Sequence, residues 1–234
     1  MAFLEVNSRS VRLGEPPREV LSAISFKAEA GSTTLVLGAN GSGKSVLLRS
    51  LLGLVPGRGE VRVAGRRLRG RLQWLYRRSG VSFQNPDLQI FGDTVGEDIA
   101  IALEPDTNEA EIRRLLHIFA LEESAHRSPW ELSGGQRRRL ALATACAGSP
   151  ELLVLDEPYI ELDYPSIQAL TGELRRLRES GSTVIVASHE TRDIWPLTDQ
   201  VIVLHAGQQL YAGDPLGALR FVQPEFGLRP LEGI

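Results

Sequence analysis

Three clusters in this 234-residue chain have the residue types and spacing to do chemistry on a phosphate. In the first, Leu35-Val36-Leu37 runs into Gly38-Ala39-Asn40-Gly41-Ser42-Gly43-Lys44-Ser45, followed by Val46-Leu47-Leu48. This is G-x-x-x-x-G-K-[ST] between an expected strand and an expected helix, the context the pattern requires. Gly38, Gly41 and Gly43 carry no Cβ, so with Asn40 and Ser42 they let successive backbone N–H groups turn inward around a phosphate. The helix N-terminus at Ser45 and Val46 adds partial positive charge. Lys44 is expected to reach the β- and γ-phosphates of a nucleotide, and the Ser45 hydroxyl to ligate Mg2+. The chain holds 24 Arg and 2 Lys, so Lys44 departs from what the sequence otherwise chooses.

The second cluster ends an apolar run, Leu152-Leu153-Val154-Leu155-Asp156-Glu157-Pro158. Side chains alternate between the faces of a strand, so the two acids need not share one task. Asp156 suits a direct or water-mediated position on Mg2+. Glu157, just beyond, is placed to polarise an attacking water as general base. An isolated Asp-Glu would ordinarily be a solvated strand end; the phosphate loop in the same chain argues for the catalytic reading. His189 closes Val184-Ile185-Val186-Ala187-Ser188, at the C-terminal sheet edge where open α/β folds bind ligands. It is expected to contact the γ-phosphate and orient the water. His117, His126 and His205 lack such company and read as packing or surface residues.

The third cluster is Leu132-Ser133-Gly134-Gly135-Gln136, ahead of a helical segment over residues 137–147. It reads as a second anion-binding helix N-terminus, with Ser133 and Gly135 offering donors. Two such sites far apart in sequence invite a sandwich of two molecules, each nucleotide held by the loop of one and the Ser133 helix of the other. The stretch SFQNPDLQIF, residues 82–91, poses a separate question. It begins as a strand and breaks at Gln84-Asn85-Pro86-Asp87, which a strand interior rejects.

Short apolar, β-branched runs at residues 33–38, 60–65, 152–156, 183–188 and 201–204 alternate with helical patterns at 45–54, 109–121, 136–147 and 166–180. Continuous runs of this length predict a largely parallel sheet covered on both faces. Residues 92–147 read as wholly helical, and residues 207–234 carry Gly and Pro without clear periodicity. Hydrophobic content of 42% and charged content of 24% are ordinary for a soluble globular protein. The net charge of −3 argues against a general polyanion binder. The single Cys146 excludes an internal disulfide, fits a reducing compartment and reads as a small buried hydrophobe. The N-terminal residues show no secretory pattern, and no stretch approaches the ~20 apolar residues of a membrane span.

In this order the motifs resemble the ATP-binding cassette (ABC) ATPase family: phosphate loop, Gln84, LSGGQ, LLVLDEP, Asp163, His189. The resemblance covers nearly the whole chain. It implies an α/β fold with a P-loop NTPase core built on a mainly parallel sheet, an N-terminal antiparallel β-subdomain and an inserted α-helical subdomain. The implied organisation is one domain over 1–234, with 1–91 and 148–234 forming the nucleotide-binding core and 92–147 the helical subdomain. It further implies hydrolysis of ATP with Mg2+ at the interface of a head-to-tail homodimer or heterodimer whose closing drives transmembrane subunits from the cytoplasmic face of the membrane. Gln84 matches the family glutamine that contacts metal and water, and the stretch between Gln84 and Phe91 the partner's docking site, which accounts for the broken strand. Ser133, Gly134, Gly135 and Gln136 match the signature that closes on the other subunit's ATP, joined by Asp163. QNPDLQIFGDTVGEDIA looks most like the ATPases of energy-coupling factor (ECF) importers, which take up vitamins and transition-metal ions.

There are departures. Leu13 stands where the family usually stacks an aromatic residue on adenine. Tyr159, Ile160 and Glu161 replace the usual small residues after the carboxylates, which could perturb a dimer seam or mark a heterodimer. Thr144 replaces a frequent Arg or Gly. The alternatives are an exporter-type or soluble ABC ATPase, or a weakly active partner of a related ATPase. The eight arginines at 58, 62, 66, 67, 69, 71, 77 and 78 could contact nucleic-acid phosphates. A solvated sheet edge is the better reading given the net charge, and no nucleic-acid partner is expected.

Overall fold

The computed structural model describes residues 2–70, 72–103 and 109–228. Arg71, part of the expected helical stretch (104–108) and the end of the C-terminal stretch (229–234) lie outside the described residues. Strands β3 (Thr33–Leu37), β7 (Leu152–Asp156) and β8 (Thr183–Ser188) are buried at every position, as their uninterrupted apolar character requires. With β6 (Ser79–Ser82) and β9 (Gln200–His205) they form a parallel sheet in the order β9-β3-β8-β7-β6. Parallel neighbours need crossovers. Helix α1 (Lys44–Leu51) leaves β3, and α6 (Tyr164–Glu179) carries the chain from β7 to β8.

Alternation along these strands splits the core in two. Val36, Val154, Ile185 and Ala187 pack with Leu47, Leu48 and Leu51 of α1. Leu35, Leu37, Leu153, Leu155, Val184 and Val186 face the other way, toward Leu140, Leu142, Leu170 and Leu174 of the helices there. Those helices include α5 (Gly134–Cys146), whose Cys146 is fully buried, with its thiol pushed far above its ordinary pKa by that burial.

The antiparallel region consists of β1 (Ala2–Leu13), β2 (Arg18–Glu29), β4 (Arg58–Val63) and β5 (Arg66–Arg67), in the order β5-β4-β1-β2. Strand β10 (Gln208–Gly213) joins it to the parallel sheet, running antiparallel to β9 and meeting β2 at the single pair Gln208–Ser22. Periodicity alone did not locate β1 and β2, and the register explains why. Pairing shifts between Val6 and Arg9 and again between Arg9 and Val11, with Ser8 and Ala23 in left-handed backbone, so the alternation slips.

Between 92 and 147 the described residues contain helices and turns but no strand: α2 (Gln73–Tyr76) precedes this region, and α3 (Val95–Ile101), α4 (Glu109–Ile118) and α5 lie within it. The region is tied to α6 by charge. Arg114 Nη1 meets Glu173 at 2.8 Å while Arg114 also binds Glu111, and Arg176 binds the same Glu173 from within α6. Burial raises the Glu173 pKa, but Arg114 and Arg176 outweigh it and hold the carboxyl below its usual range.

The C-terminal stretch, aperiodic in sequence, is ordered by long-range packing. After β10 comes a single helical turn, α7 (Pro215–Ala218), capped by Asp214. Tyr211, Phe221, Phe226 and His205 then pack ring against ring, with centroids 5.6–5.8 Å apart, His205 and Phe226 edge to face and the other pairs tilted. This packing brings Gly227 so close to the phosphate loop that a Cβ there would lie 2.8 Å from that of Ala39. Aromatic contacts between consecutive turns carry no sequence period.

Candidate nucleotide site

The phosphate loop leaves β3 at Gly38, where a Cβ would sit 2.4 Å from Ser42 Oγ and 2.5 Å from the Leu204 carbonyl. Only glycine lets the loop fold this tightly onto β9. At its other end Gly43, in left-handed backbone (φ 103°), starts α1, and a Cβ there would strike Leu21 of β2. Asn40 and Gly41 form the exposed crown, and Ser45 and Val46 are half-buried. Ser42 Oγ is buried with no hydrogen-bond partner. Lys44 is 5% exposed; its ammonium donates to the carbonyls of Gly38 (2.7 Å) and Ala39 (3.3 Å).

Across from it stand the two acids. Asp156 ends β7, and Glu157 turns the chain out of the strand with φ 51°, its N–H bonded to the Ala187 carbonyl at 2.8 Å. A left-handed residue at this point overrides strand alternation, so both acids lie beside the start of α1. Glu157 Oε1 pairs with Lys44 Nζ at 3.1 Å, both side chains 5% exposed. Glu157 Oε2 faces His189 Nδ1 at 2.9 Å and accepts from the His189 N–H at 3.3 Å. His189 is therefore held by the carboxylate it is expected to assist. Burial pushes the Asp156 carboxyl above its usual range, with the Ser45 hydroxyl alongside pulling it back. Neither Asp156 oxygen has an aligned donor. Two buried carboxylate oxygens and a hydroxyl are hard oxygen ligands, a donor set that fits Mg2+.

Gln84 is exposed just past β6, in a loop that the local sequence closes. Asn85 Oδ1 caps the turn Pro86–Leu88 by accepting from the Asp87 N–H, and Gln89 reaches back to accept from the Phe83 N–H and donate to the Val81 carbonyl. Ile90 is buried, whereas Leu88 (61%) and Phe91 (76%) project outward, Phe91 beside exposed Ile101 of α3. Two further residues organise this loop and were not singled out from sequence. Asp98, buried in α3, accepts from the N–H groups of Phe91 (2.7 Å) and Gly92 (2.9 Å) and from the Thr144 hydroxyl (3.2 Å). Arg138 of α5 is 3% exposed and donates to four backbone carbonyls around the site. Arg138 lies in a run of three arginines, where no local signal marks the buried one.

Other expected site residues stand apart from this cluster. Ser133 caps α5, accepting from the Gln136 N–H while Gln136 Oε1 accepts from the Ser133 N–H. Ser133 and Gly134 are exposed, Gly135 is half-buried, and among the described residues no hydrogen bond or ion pair joins residues 133–136 to the phosphate loop. Asp163 caps α6 through the Ser166 N–H at 3.0 Å, a bond to Ser166 that holds its carboxyl low. Leu13, 36% exposed, ends β1 two residues past Val11, which pairs with the Leu21 that abuts Gly43. Of the bulky trio, Tyr159 turns inward, its hydroxyl 3.3 Å from that of Thr171 and its pKa pushed up to about 12 by burial. Ile160 and Glu161 face outward, Glu161 in left-handed backbone at φ 62°. His117, His126 and His205 are exposed; His117 pairs with Glu122.

A glycine cradle at the end of a central parallel strand, with a lysine and paired acids beside it, defines a P-loop ATPase. The sequence profile described as ABC transporter matches residues 21–160, and the chain belongs to that family of transporter ATP-binding subunits. The energy-coupling factor transporter ATP-binding protein EcfA1 of Geobacillus kaustophilus is 36% identical over 221 residues, covering 91% of this chain and 79% of that one. The Fe(3+) ions import ATP-binding protein FbpC of Streptomyces avermitilis is also 36% identical, over 97% of this chain and 67% of that one. Among solved structures, CbiO1 from Clostridium perfringens, part of the ABC transporter complex CbiONQ, superposes with a TM-score of 0.76 at 27% identity, covering 96% and 92% of the two chains. The chain is thus an ATP-hydrolysing subunit of a transporter. No helix among the described residues is long and apolar enough to cross a membrane.

Proposed function

We propose that this chain powers an ECF-type importer of a vitamin or a transition-metal ion, working as one domain over 1–234 with a helical subdomain at 92–147. The likeness to EcfA1 and the QNPDLQIF segment support the ECF reading, while equal identity to an iron-import ATPase keeps the cargo at this class. In catalysis, Lys44 holds the nucleotide phosphates and Glu157 acts as general base. Asp156 and Ser45, with Gln84, hold Mg2+, which neutralises charge on the transferred phosphoryl group when bound. The observation that carries this reading is the Lys44–Glu157–His189 chain of contacts. A phosphate that engages Lys44 draws it off Glu157 Oε1 and frees that oxygen for water, while His189 keeps Oε2 in place.

The exposed, self-capped Ser133 helix requires a second ATPase copy or a related chain to close the site, with Asp163 beside it. Exposed Leu88, Phe91 and Ile101 form the docking surface for transmembrane subunits on the cytoplasmic side. The test is steady-state MgATP hydrolysis. Glu157→Gln is expected to lower kcat by about 100-fold or more while ATP affinity holds, and to accumulate an ATP-bound dimer on size exclusion. Equal turnover of Glu157→Gln and wild type removes Glu157 from the chemistry, and an exclusively monomeric variant removes the sandwich. Copurification with a small substrate-binding membrane protein and a transmembrane coupler checks the importer reading.

A further inference from the structure

We propose that Arg138 is a positioning residue, joining the helix that begins at Ser133 to the catalytic carboxylate and the Gln84 loop of its own chain. The proposal rests on Glu157 being the general base.

The guanidinium is almost wholly buried, yet among the described residues it forms no hydrogen bond to a carboxylate, the usual partner of a buried cation. Instead Nη1 donates to the carbonyls of Phe83 (2.6 Å) and Gln84 (3.3 Å), and Nη2 to those of Asp156 (2.9 Å) and Glu157 (2.5 Å). Strands β6 and β7 pair as far as Ser82 and Leu155. Beyond that point β6 ends and β7 keeps only its β8 neighbour, with Asp156 opposite Ala187, so the next carbonyls of the two chains have no ladder partner in each other. Arg138 supplies the missing donors for two residues on each side. It thereby fixes the strained, left-handed turn at Glu157 and the exit of Gln84 with one rigid fork. Burial pulls the guanidinium below its ordinary pKa, and the nearby carboxylates of Asp156, Glu161 and Glu157 only partly offset it.

The same helix grips the loop at two more points. Arg137 forms an ion pair with Asp87 at 3.0 Å, and Thr144 bonds Asp98, which holds the Phe91 and Gly92 N–H groups. A displacement of the Ser133 end of α5, five residues from Arg138, thus reaches the Glu157 backbone and residues 83–92 together. In a sandwich, contact with the partner's nucleotide at Ser133 adjusts the base in the chain's own site.

Both Nη groups of Arg138 are committed to backbone carbonyls of the chain, so the effect is expected to fall on kcat and spare KM. Arg138→Gln and Arg138→Ala are expected to lose about 100-fold in kcat, the cost of an ångström-scale misplacement, with KM for ATP changed by less than about threefold. Arg138→Lys, which presents one point charge to four acceptors, recovers only part of the loss. Guanidinium at sub-denaturing, millimolar concentration is expected to restore turnover to Arg138→Ala and leave wild type unaffected. Near-wild-type kcat in Arg138→Gln overturns the proposal. So does a variant that loses ATP binding and melting temperature along with kcat and is not rescued by guanidinium, since that marks a purely structural residue. Glu157→Gln, run in parallel, separates the two failures: unchanged turnover there removes the base assignment, whereas a dead Glu157→Gln beside an active Arg138→Gln removes the coupling alone.

Discussion

The phosphate loop and the Ser133 helix both present a helix N-terminus to an anion, but they are finished to different degrees. The first is buried and internally unsatisfied: Ser42 Oγ and both Asp156 oxygens lack partners, and Lys44 is borrowed by Glu157. Buried polar groups without partners cost stability and are repaired by a ligand that supplies them. The second is exposed and complete, its capping box already closed within four residues, Ser133 to Gln136. In the proposed sandwich, such a self-capped N-terminus serves as a half-site whose dipole meets an anion delivered by another molecule. On the proposed reading, one region is a pocket built at the expense of local stability and the other a stable surface that association would recruit.

The contrast breaks most severely at Lys44. Lys44→Ala is expected to weaken ATP binding by about 100-fold or more, because it removes the only charged donor in the cradle and leaves Glu157 buried without its cation. Equilibrium binding of a fluorescent ATP analogue measures it, and retained affinity contradicts the cradle's role. An intermediate effect is expected where the helical region that carries the Ser133 helix is tied to the core, at the contact of α4 with α6. Glu173→Gln leaves Arg114 and Arg176 without their buried partner and should cost about 3 kcal/mol in urea unfolding. The sign of its pH dependence follows from the lowered carboxyl pKa. The stabilisation is complete above the unfolded-state value, about 4.3, and is lost as pH falls through the lower folded value, so the gap between wild type and Glu173→Gln narrows below pH ~4. A gap constant across that range refutes the assignment. The smallest effect sharpens the comparison from the other side. Ser133→Ala should cost only about 1 kcal/mol, the price of an N-cap, and leave ATP binding to the isolated chain unchanged. A large loss of monomer affinity would place Ser133 in its own chain's pocket.

The site was readable where one stretch of chain does the work. Gly41 and Gly43 are demanded by left-handed backbone within the loop, Ser133 and Gln136 by a local cap, and Asp163 by another, whereas Gly38 also answers to the distant Leu204 carbonyl of β9. The parallel strands were readable because burial on both faces forces unbroken apolar runs. The antiparallel pair β1–β2 was not, since repeated register slips erase its alternation, and the C-terminal stretch was not, since its order comes from rings that meet across turns. Within the site, the sequence could not separate Arg138 from Arg137 and Arg139, nor reveal that Tyr159 turns inward while Glu161 faces out.

From residues alone came the inventory: a phosphate cradle, two acids, a histidine at a strand end, a second helix N-terminus, and the family in which these occur in this order. Only the tertiary structure decided which of them touch. Lys44 and Glu157 lie far apart along the chain and Arg138 spans two strands from a third element, yet each contact is set by how sheet and helices stack. Local sequence specifies backbone conformation through sterics and short hydrogen bonds. Which charges become neighbours is fixed by the packing of whole elements, a property no short stretch contains.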